Sequence, residues 1–283
     1  KTRAYYAETL PNPKLHVFPI KEVSDIGREM GIPLIIDNTA AHGLCKPFEH
    51  GAAVIASSCT KYIGGHGNSI GGIIIDGGNF DWKAHPERQP YLNQPDPSYH
   101  GAVWTEATEP LGPVAYIIKA RVTLLRDEGS AMSPFNAFLF LQGLESLPLR
   151  MERHCANANE VASFLRDHPK VTNVIHPSLM DGEFRRRADI YLSGGYGGLV
   201  GIELKGGLDA GQNFINALEM FYHVANIGDS RSLAIHPAST THSQLSAEEQ
   251  EATGVTAGYV RLSIGVEHID DIKADLSQAL DVA

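Results

Sequence analysis

Two short apolar runs, each closed by polar side chains, most constrain what this chain can fold into. Residues 33–36 end in Asp37-Asn38-Thr39, and residues 53–56 end in Ser57-Ser58-Cys59-Thr60-Lys61. Before the first run, residues 20–30 carry Val23, Ile26 and Met30 on one helical stripe, with Glu22 in the first turn and Gly31 as a stop. Strand, helix, strand is a βαβ unit and implies a parallel sheet. In an open α/β sheet, side chains just past the strand ends reach the ligand crevice. A carboxylate at one strand end and a hydroxyl-flanked lysine at the next make a specific chemical set. Lys61 can form a Schiff base, Asp37 can hold a pyridinium nitrogen charged, and Ser58 and Thr60 can hold a phosphate. Those are the needs of pyridoxal phosphate (PLP).

The rest of the first half reads as a continuation of that sheet. Residues 8–13 form a turn in which two prolines exclude helix, and Asn12 is either a plain Asn-Pro turn initiator or an amide presented at a strand end. Gly64-Gly65-His66-Gly67 and Gly71-Gly72 suggest close backbone approach but match no P-loop or dinucleotide fingerprint. Ile73-Ile74-Ile75-Asp76 reads as another buried strand, residues 77–113 as a long irregular stretch, and 113–127 as a helix stopped by Gly129. Residues 135–145 are apolar on nearly every side and are expected to be buried. A separate helix over 148–167 would carry Arg150, Glu152, Arg153 and Glu160 as a solvated face.

Beyond Pro169 the pattern changes to period-two alternation at 199–204 and 259–266, the mark of half-exposed antiparallel strands. Residues 171–175 form a further strand, and helices near 208–220 and 269–281 would cover the apolar face. The fold class is therefore α/β, with a large domain over residues 1–145 built on a mostly parallel sheet and a smaller α+β domain over 146–283. The chain starts at Lys1, and the expectation is that an N-terminal part of the large domain is absent.

Arg261 lies on the polar face of its strand, either as a solvent-facing side chain or as a bidentate clamp for an α-carboxylate. Ser232, in the stretch before His236, could offer a backbone group to the cleft. His236 and His242 lack metal-ligand spacing and no cysteine lies near, so no metal is expected. The net charge of −10 argues against nucleic-acid binding and gives no reason to expect affinity for an acidic membrane. Cys45, Cys59 and Cys155 show no disulfide spacing and are expected as free thiols in a reducing cytosol.

These residues together resemble a known family. Ile36-Asp37-Asn38-Thr39, then Ser58-Cys59-Thr60-Lys61-Tyr62-Ile63-Gly64-Gly65-His66-Gly67, are similar to the Cys/Met-metabolism PLP enzymes of fold type I, and the resemblance runs from residue 1 to 283. Residues 133–145 and 236–245 are most like the O-acetylhomoserine sulfhydrylase branch. The resemblance implies that Lys61 carries PLP and shuttles protons, and that Asp37 pairs with the ring nitrogen. Asn12 would bond the ring oxygen near the substrate carboxylate, and Ser58 and Thr60 would bind the phosphate. Arg261, helped by the backbone at Ser232, would clamp the substrate carboxylate. The implied reaction turns O-acetylhomoserine and sulfide into homocysteine and acetate, in a cytoplasmic homotetramer of active dimers. The alternatives are a cystathionine γ-synthase, an O-succinylhomoserine sulfhydrylase, a methionine γ-lyase or, in another class, a non-catalytic truncated relative. The Ala40-Ala41-His42-Gly43 segment departs from the commoner family forms.

Overall fold

In the computed structural model, which describes residues 1–283, the first sheet has four strands in sequence order. They are β1 (Tyr5–Glu8), β2 (Leu34–Asp37), β3 (Val54–Ser58) and β4 (Gly72–Asp76). β1, β2 and β3 are parallel, and the helix Ile20–Glu29 makes the crossover between the first two. β4 returns antiparallel, with Gly72 opposite Ser58. In this register Glu8 lies beside Asp37, and Asp37 beside Ala56, so three parallel strands deliver polar side chains to one end of the sheet. That is the carboxyl-end crevice expected of an open α/β sheet.

The central strands β2 and β3 are covered on both faces. Val17, Ile20, Leu34, Ile36, Ala52 and Tyr62 belong to one buried cluster. Ala53 and Val54 meet Phe80, Trp82, Leu92 and Trp104 in another. The second of these gives residues 77–113 a purpose: the stretch holds several one-turn helices and a core of its own rather than being irregular throughout.

The second sheet has five strands in the order β5, β6, β9, β8, β7. These are β5 (Val171–Ile175), β6 (Leu199–Leu204), β7 (Tyr222–His223), β8 (Leu233–Ile235) and β9 (Tyr259–Ser263). All neighbours are antiparallel except β7 and β8. Val200, Ile202, Val260 and Leu262 pack against the helices Gly207–Ala217 and Ile269–Val282 through Phe214, Ile272 and Leu276. The opposite faces of β6 and β9 are also largely buried, against the first sheet's core and Tyr259, so these strands are not half-exposed as their alternation suggested. No helix is long and apolar enough to cross a membrane.

Five local expectations are corrected. The helix Ile20–Glu29 buries Ile20, Ser24 and Gly27, while Ile26 and Met30 are exposed. A Cβ at Gly27 would collide with the carbonyl oxygen of Ile32, so it is the small residues that permit the contact. β4 is not buried, since Ile73, Ile74 and Ile75 are all exposed. Residues 135–145 and 148–167 are one helix, Pro134–Arg166, which runs unbroken through residue 146 and contains Pro148. Its first part is mostly exposed, with Phe135 at 66% and Leu141 at 64%, and only Phe140 and Gly143 buried there. On its second part Glu152, Arg153 and Glu160 are exposed as expected, but Arg150 is only 8% exposed and faces inward.

Candidate active site

Lys61 sits in one wide turn over Cys59–Ile63, closed by the Gly64 N–H donating to Cys59 O at 2.8 Å. The turn follows β3 directly, so the lysine is held by a tight loop at the sheet's polar end. Its flanking backbone is pinned as well: Cys59 N donates to Gly71 O at 2.9 Å, and Gly71 N donates to the Thr60 hydroxyl at 3.1 Å. The Lys61 amine donates to Asn226 Oδ1.

A cavity of about 260 Å³ opens there, lined by Glu8, Asn12, Asp37, Ser58, Lys61 and Arg261, with Asn226 among the others. Five of the seven residues singled out from the sequence therefore meet in one place. Asp37 is oriented by its surroundings: Oδ1 accepts the Thr39 N–H at 2.8 Å, and Oδ2 accepts the Tyr6 hydroxyl at 3.1 Å. Thr39 in turn accepts the Ser58 N–H at 2.8 Å, which ties the acid's loop to the lysine's strand. Arg261 donates from Nη2 to Asn226 O at 3.0 Å, while its Nε is buried without a partner. A buried, unused guanidinium donor is costly unless something occupies it.

Two residues fall elsewhere. Thr60 does not line the cavity, and its hydroxyl is engaged with the Gly71 backbone. Ser232 is fully buried, its N–H donating to Glu267 Oε1 at 2.6 Å and its hydroxyl to Glu267 Oε2 at 2.9 Å. The backbone expected to face the cleft is thus turned to Glu267, which does not line the cavity. His236 uses both ring nitrogens internally, on the Ser239 hydroxyl and Ala257 O. All three cysteines are free and buried.

Two residues that sequence reasoning gave no role also line the cavity. Asn226 lies in a loop with no periodic pattern, and nothing in its neighbours marks it. Glu8 was read as the first residue of the 8–13 turn, but it ends β1, and the register of β1 with β2 sets it beside Asp37. Burial, then the nearby Asp37, raises the Glu8 carboxyl above its usual range. Burial, then the positive charge of Arg261, lowers the Lys61 amine. Both effects favour a neutral, nucleophilic amine.

The residues fit PLP by the chemistry of their donors. A lysine with lowered basicity, a carboxylate held at the strand end, a free Ser58 hydroxyl and an unsatisfied Arg261 donor line one pocket. An α/β sheet carrying this set at its carboxyl end defines the class of PLP-dependent enzymes. The family described as Cys/Met metabolism PLP-dependent enzyme matches residues 1–281, and the chain belongs to it. It is 53% identical to an O-acetyl-L-homoserine sulfhydrylase of Leptospira meyeri, over 99% of this chain and 64% of that protein. It is 46% identical to a homocysteine synthase of Schizosaccharomyces pombe, over 100% of this chain and 66% of that one. The crystal structure of a Campylobacter jejuni protein assigned as an O-acetylhomoserine (thiol)-lyase, carrying a pyridoxyl-lysine monophosphate, superposes with a TM-score of 0.91 at 39% identity. It covers 99% of this chain and 66% of that one. The chain thus spans about two thirds of the length of these relatives.

Two fully buried histidines near the site give a pH dependence with a definite sign. His154 and His176 are each lowered to about 4, first by burial, against upward pulls from Ile264 O and Gly197 respectively. In the unfolded chain they would protonate near ~6.5. Between about pH 4 and 6.5 the unfolded chain binds protons the folded one refuses. Their contribution is therefore present in full above 6.5 and lost as pH falls toward 4. At pH 5 each lowers stability by about 2 kcal/mol relative to pH 7. Urea unfolding at the two pH values is expected to show the drop, and His176→Asn to lessen it. A midpoint that does not move would contradict the assignment.

Proposed function

We propose that this protein catalyses a PLP-dependent γ-replacement in which O-acetylhomoserine and sulfide become homocysteine and acetate. The observation that carries the reading is the convergence of Lys61, Asp37, Asn12, Ser58 and Arg261 on one cavity at the carboxyl ends of three parallel strands. The names of the relatives from Leptospira and Schizosaccharomyces support the choice of substrate. When bound, PLP supplies an aldehyde for the amino group and a ring that draws electrons from the substrate's α-carbon.

Each residue then has a task. Lys61 would hold the aldehyde through its amine and would move protons at the substrate's α- and β-carbons. Its lowered basicity suits it to be neutral at working pH. Asp37 keeps the proton on the ring nitrogen, since an adjacent anion favours the charged form. The Asn12 amide serves the ring oxygen, and the Ser58 hydroxyl the phosphate. Thr60 serves the phosphate through the loop it fixes at Gly71, or by releasing its hydroxyl from that bond. Arg261 clamps the substrate carboxylate through the donor it leaves unused, and the Asn226 amide oxygen accepts from the Lys61 amine while that amine is not bound to the aldehyde. Acetate leaves the γ-carbon, hydrosulfide bonds to the same carbon, and the α-proton is returned.

The reading includes a cytoplasmic homotetramer of active dimers. The exposed Ile73, Ile74, Ile75, Phe135, Phe138 and Leu141 support further protein covering them, since so many large apolar side chains are rarely left in water. The test is a steady-state assay of the whole protein with O-acetylhomoserine and O-succinylhomoserine, each with sulfide and with cysteine. Homocysteine and acetate are expected from the acetyl ester and sulfide, with kcat/KM at least about tenfold above any other pair, a difference of ~1.4 kcal/mol. Homocysteine from the succinyl ester alone, or cystathionine as the main product, would overturn it.

A further inference from the structure

Outside the cavity, Arg150 is a buried charged group that touches the turn carrying Lys61. It forms no ion pair, and its guanidinium is bound almost wholly to backbone. Nη1 donates to Tyr62 O at 2.7 Å, and Nη2 to Ile63 O at 3.1 Å and Gly143 O at 2.8 Å. Nε donates to the Ser146 hydroxyl at 3.1 Å. Tyr62 and Ile63 are the two residues after Lys61, so this cation grips the turn that carries the amine. Gly65 is shaped to the grip: it has φ +72°, and a Cβ there would collide with the Arg150 guanidinium.

The same helix face then reaches the other end of the site. His154 Nδ1 lies 2.6 Å from Ile264 O, and Asn157 Nδ2 donates to Gly265 O and Glu267 O, both at 3.0 Å. Ile264 and Gly265 directly follow β9, which carries Arg261. Positions 143, 146, 150, 154 and 157 recur at three- and four-residue spacing and so lie on one face of a rigid helix.

We propose that this polar face sets the separation of Lys61 and Arg261, with Arg150 the positioning residue for the lysine and Asn157 the positioning residue for the arginine. The inference rests on the reading that Lys61 holds PLP and Arg261 holds the substrate carboxylate. A charge buried against carbonyls alone is disfavoured by desolvation, which does lower the Arg150 guanidinium. What it provides instead is geometry: a planar fork bonding three carbonyls from two segments at once, which a lysine's point charge cannot reproduce. A reacting group misplaced by about 1 Å loses roughly 100-fold in rate, so a fixed spacing has a function.

The test uses Arg150→Lys and Asn157→Ala in the whole PLP-loaded protein. It reads cofactor Kd, the pH midpoint of the near-visible absorbance, and KM for the amino-acid substrate at saturating cofactor. Arg150→Lys is expected to raise cofactor Kd about tenfold or more and to shift the absorbance midpoint, with KM changed less than about threefold. Asn157→Ala is expected to do the reverse, raising KM about tenfold with Kd and the midpoint unmoved. Parallel changes in Kd and KM in both variants, or a lowered melting temperature with all three readouts unmoved, would overturn the inference. Should Arg150→Lys fail to fold, the Asn157→Ala split decides alone: KM raised without Kd supports it, and any other result overturns it. Wild-type protein that binds no PLP would sink the reading beneath it, whereas an active wild type with unsplit variants sinks only this inference.

Discussion

Replacing Lys61 with alanine is expected to lower kcat by about 10⁴-fold or more, equivalent to ~5.4 kcal/mol of transition-state stabilisation. The substitution removes two functions at once: the amine that binds the cofactor aldehyde, and the base that moves protons on the substrate. No other cavity-lining side chain can replace it, since the remaining cation is Arg261, which stays protonated and so cannot act as a nucleophile. The fold should survive, because the Lys61 turn is held by backbone bonds with Gly64 and Gly71 and by the Arg150 guanidinium rather than by the lysine side chain. Steady-state kinetics, with circular dichroism to confirm folding, checks this. Activity within about tenfold of wild type would remove Lys61 from the chemistry.

Asp37→Asn is expected to have the next largest effect, a fall in kcat of about 10²- to 10³-fold with a smaller change in KM. Removing one partner of a buried charge pair costs roughly 3–5 kcal/mol, or about 10²- to 10⁴-fold in rate, and the half-buried Asp37 falls in the lower part of that span. Asparagine keeps the acceptor for the Thr39 N–H, so the loop after β2 should stay in place. What is lost is the negative charge that holds a proton on the cofactor nitrogen. Because that proton matters most while the α-carbon carries developing charge, kcat should suffer more than substrate binding. Equal loss in Asp37→Asn and Asp37→Glu, with unchanged absorbance of the bound cofactor in both, would assign the residue a packing role instead.

Much of the site was legible because its signals are local. Asp37 and Lys61 each close an apolar run, and a strand end in a βαβ unit fixes where such a side chain points. Arg261 was readable as the one charge on a strand whose other face is apolar. Asn226 and Ser232 were not readable, since both lie in a loop between short strands and only the folded chain decides which of them faces the cavity. Burial misled in two opposite ways. Arg150 was placed in solvent because charged helix positions usually are, yet carbonyls of a neighbouring turn accept its donors. Phe135, Phe138 and Leu141 were placed inside because apolar residues usually are, yet exposed apolar surface marks contacts that one chain's pattern does not specify.

The most direct measurement is to load the whole protein with PLP, reduce it with borohydride, and locate the fixed pyridoxyl group by peptide mass spectrometry. The account predicts one modified residue, Lys61, and no fixed label in Lys61→Ala. A pyridoxyl group on any other lysine, or stable label retained after that substitution, would contradict it.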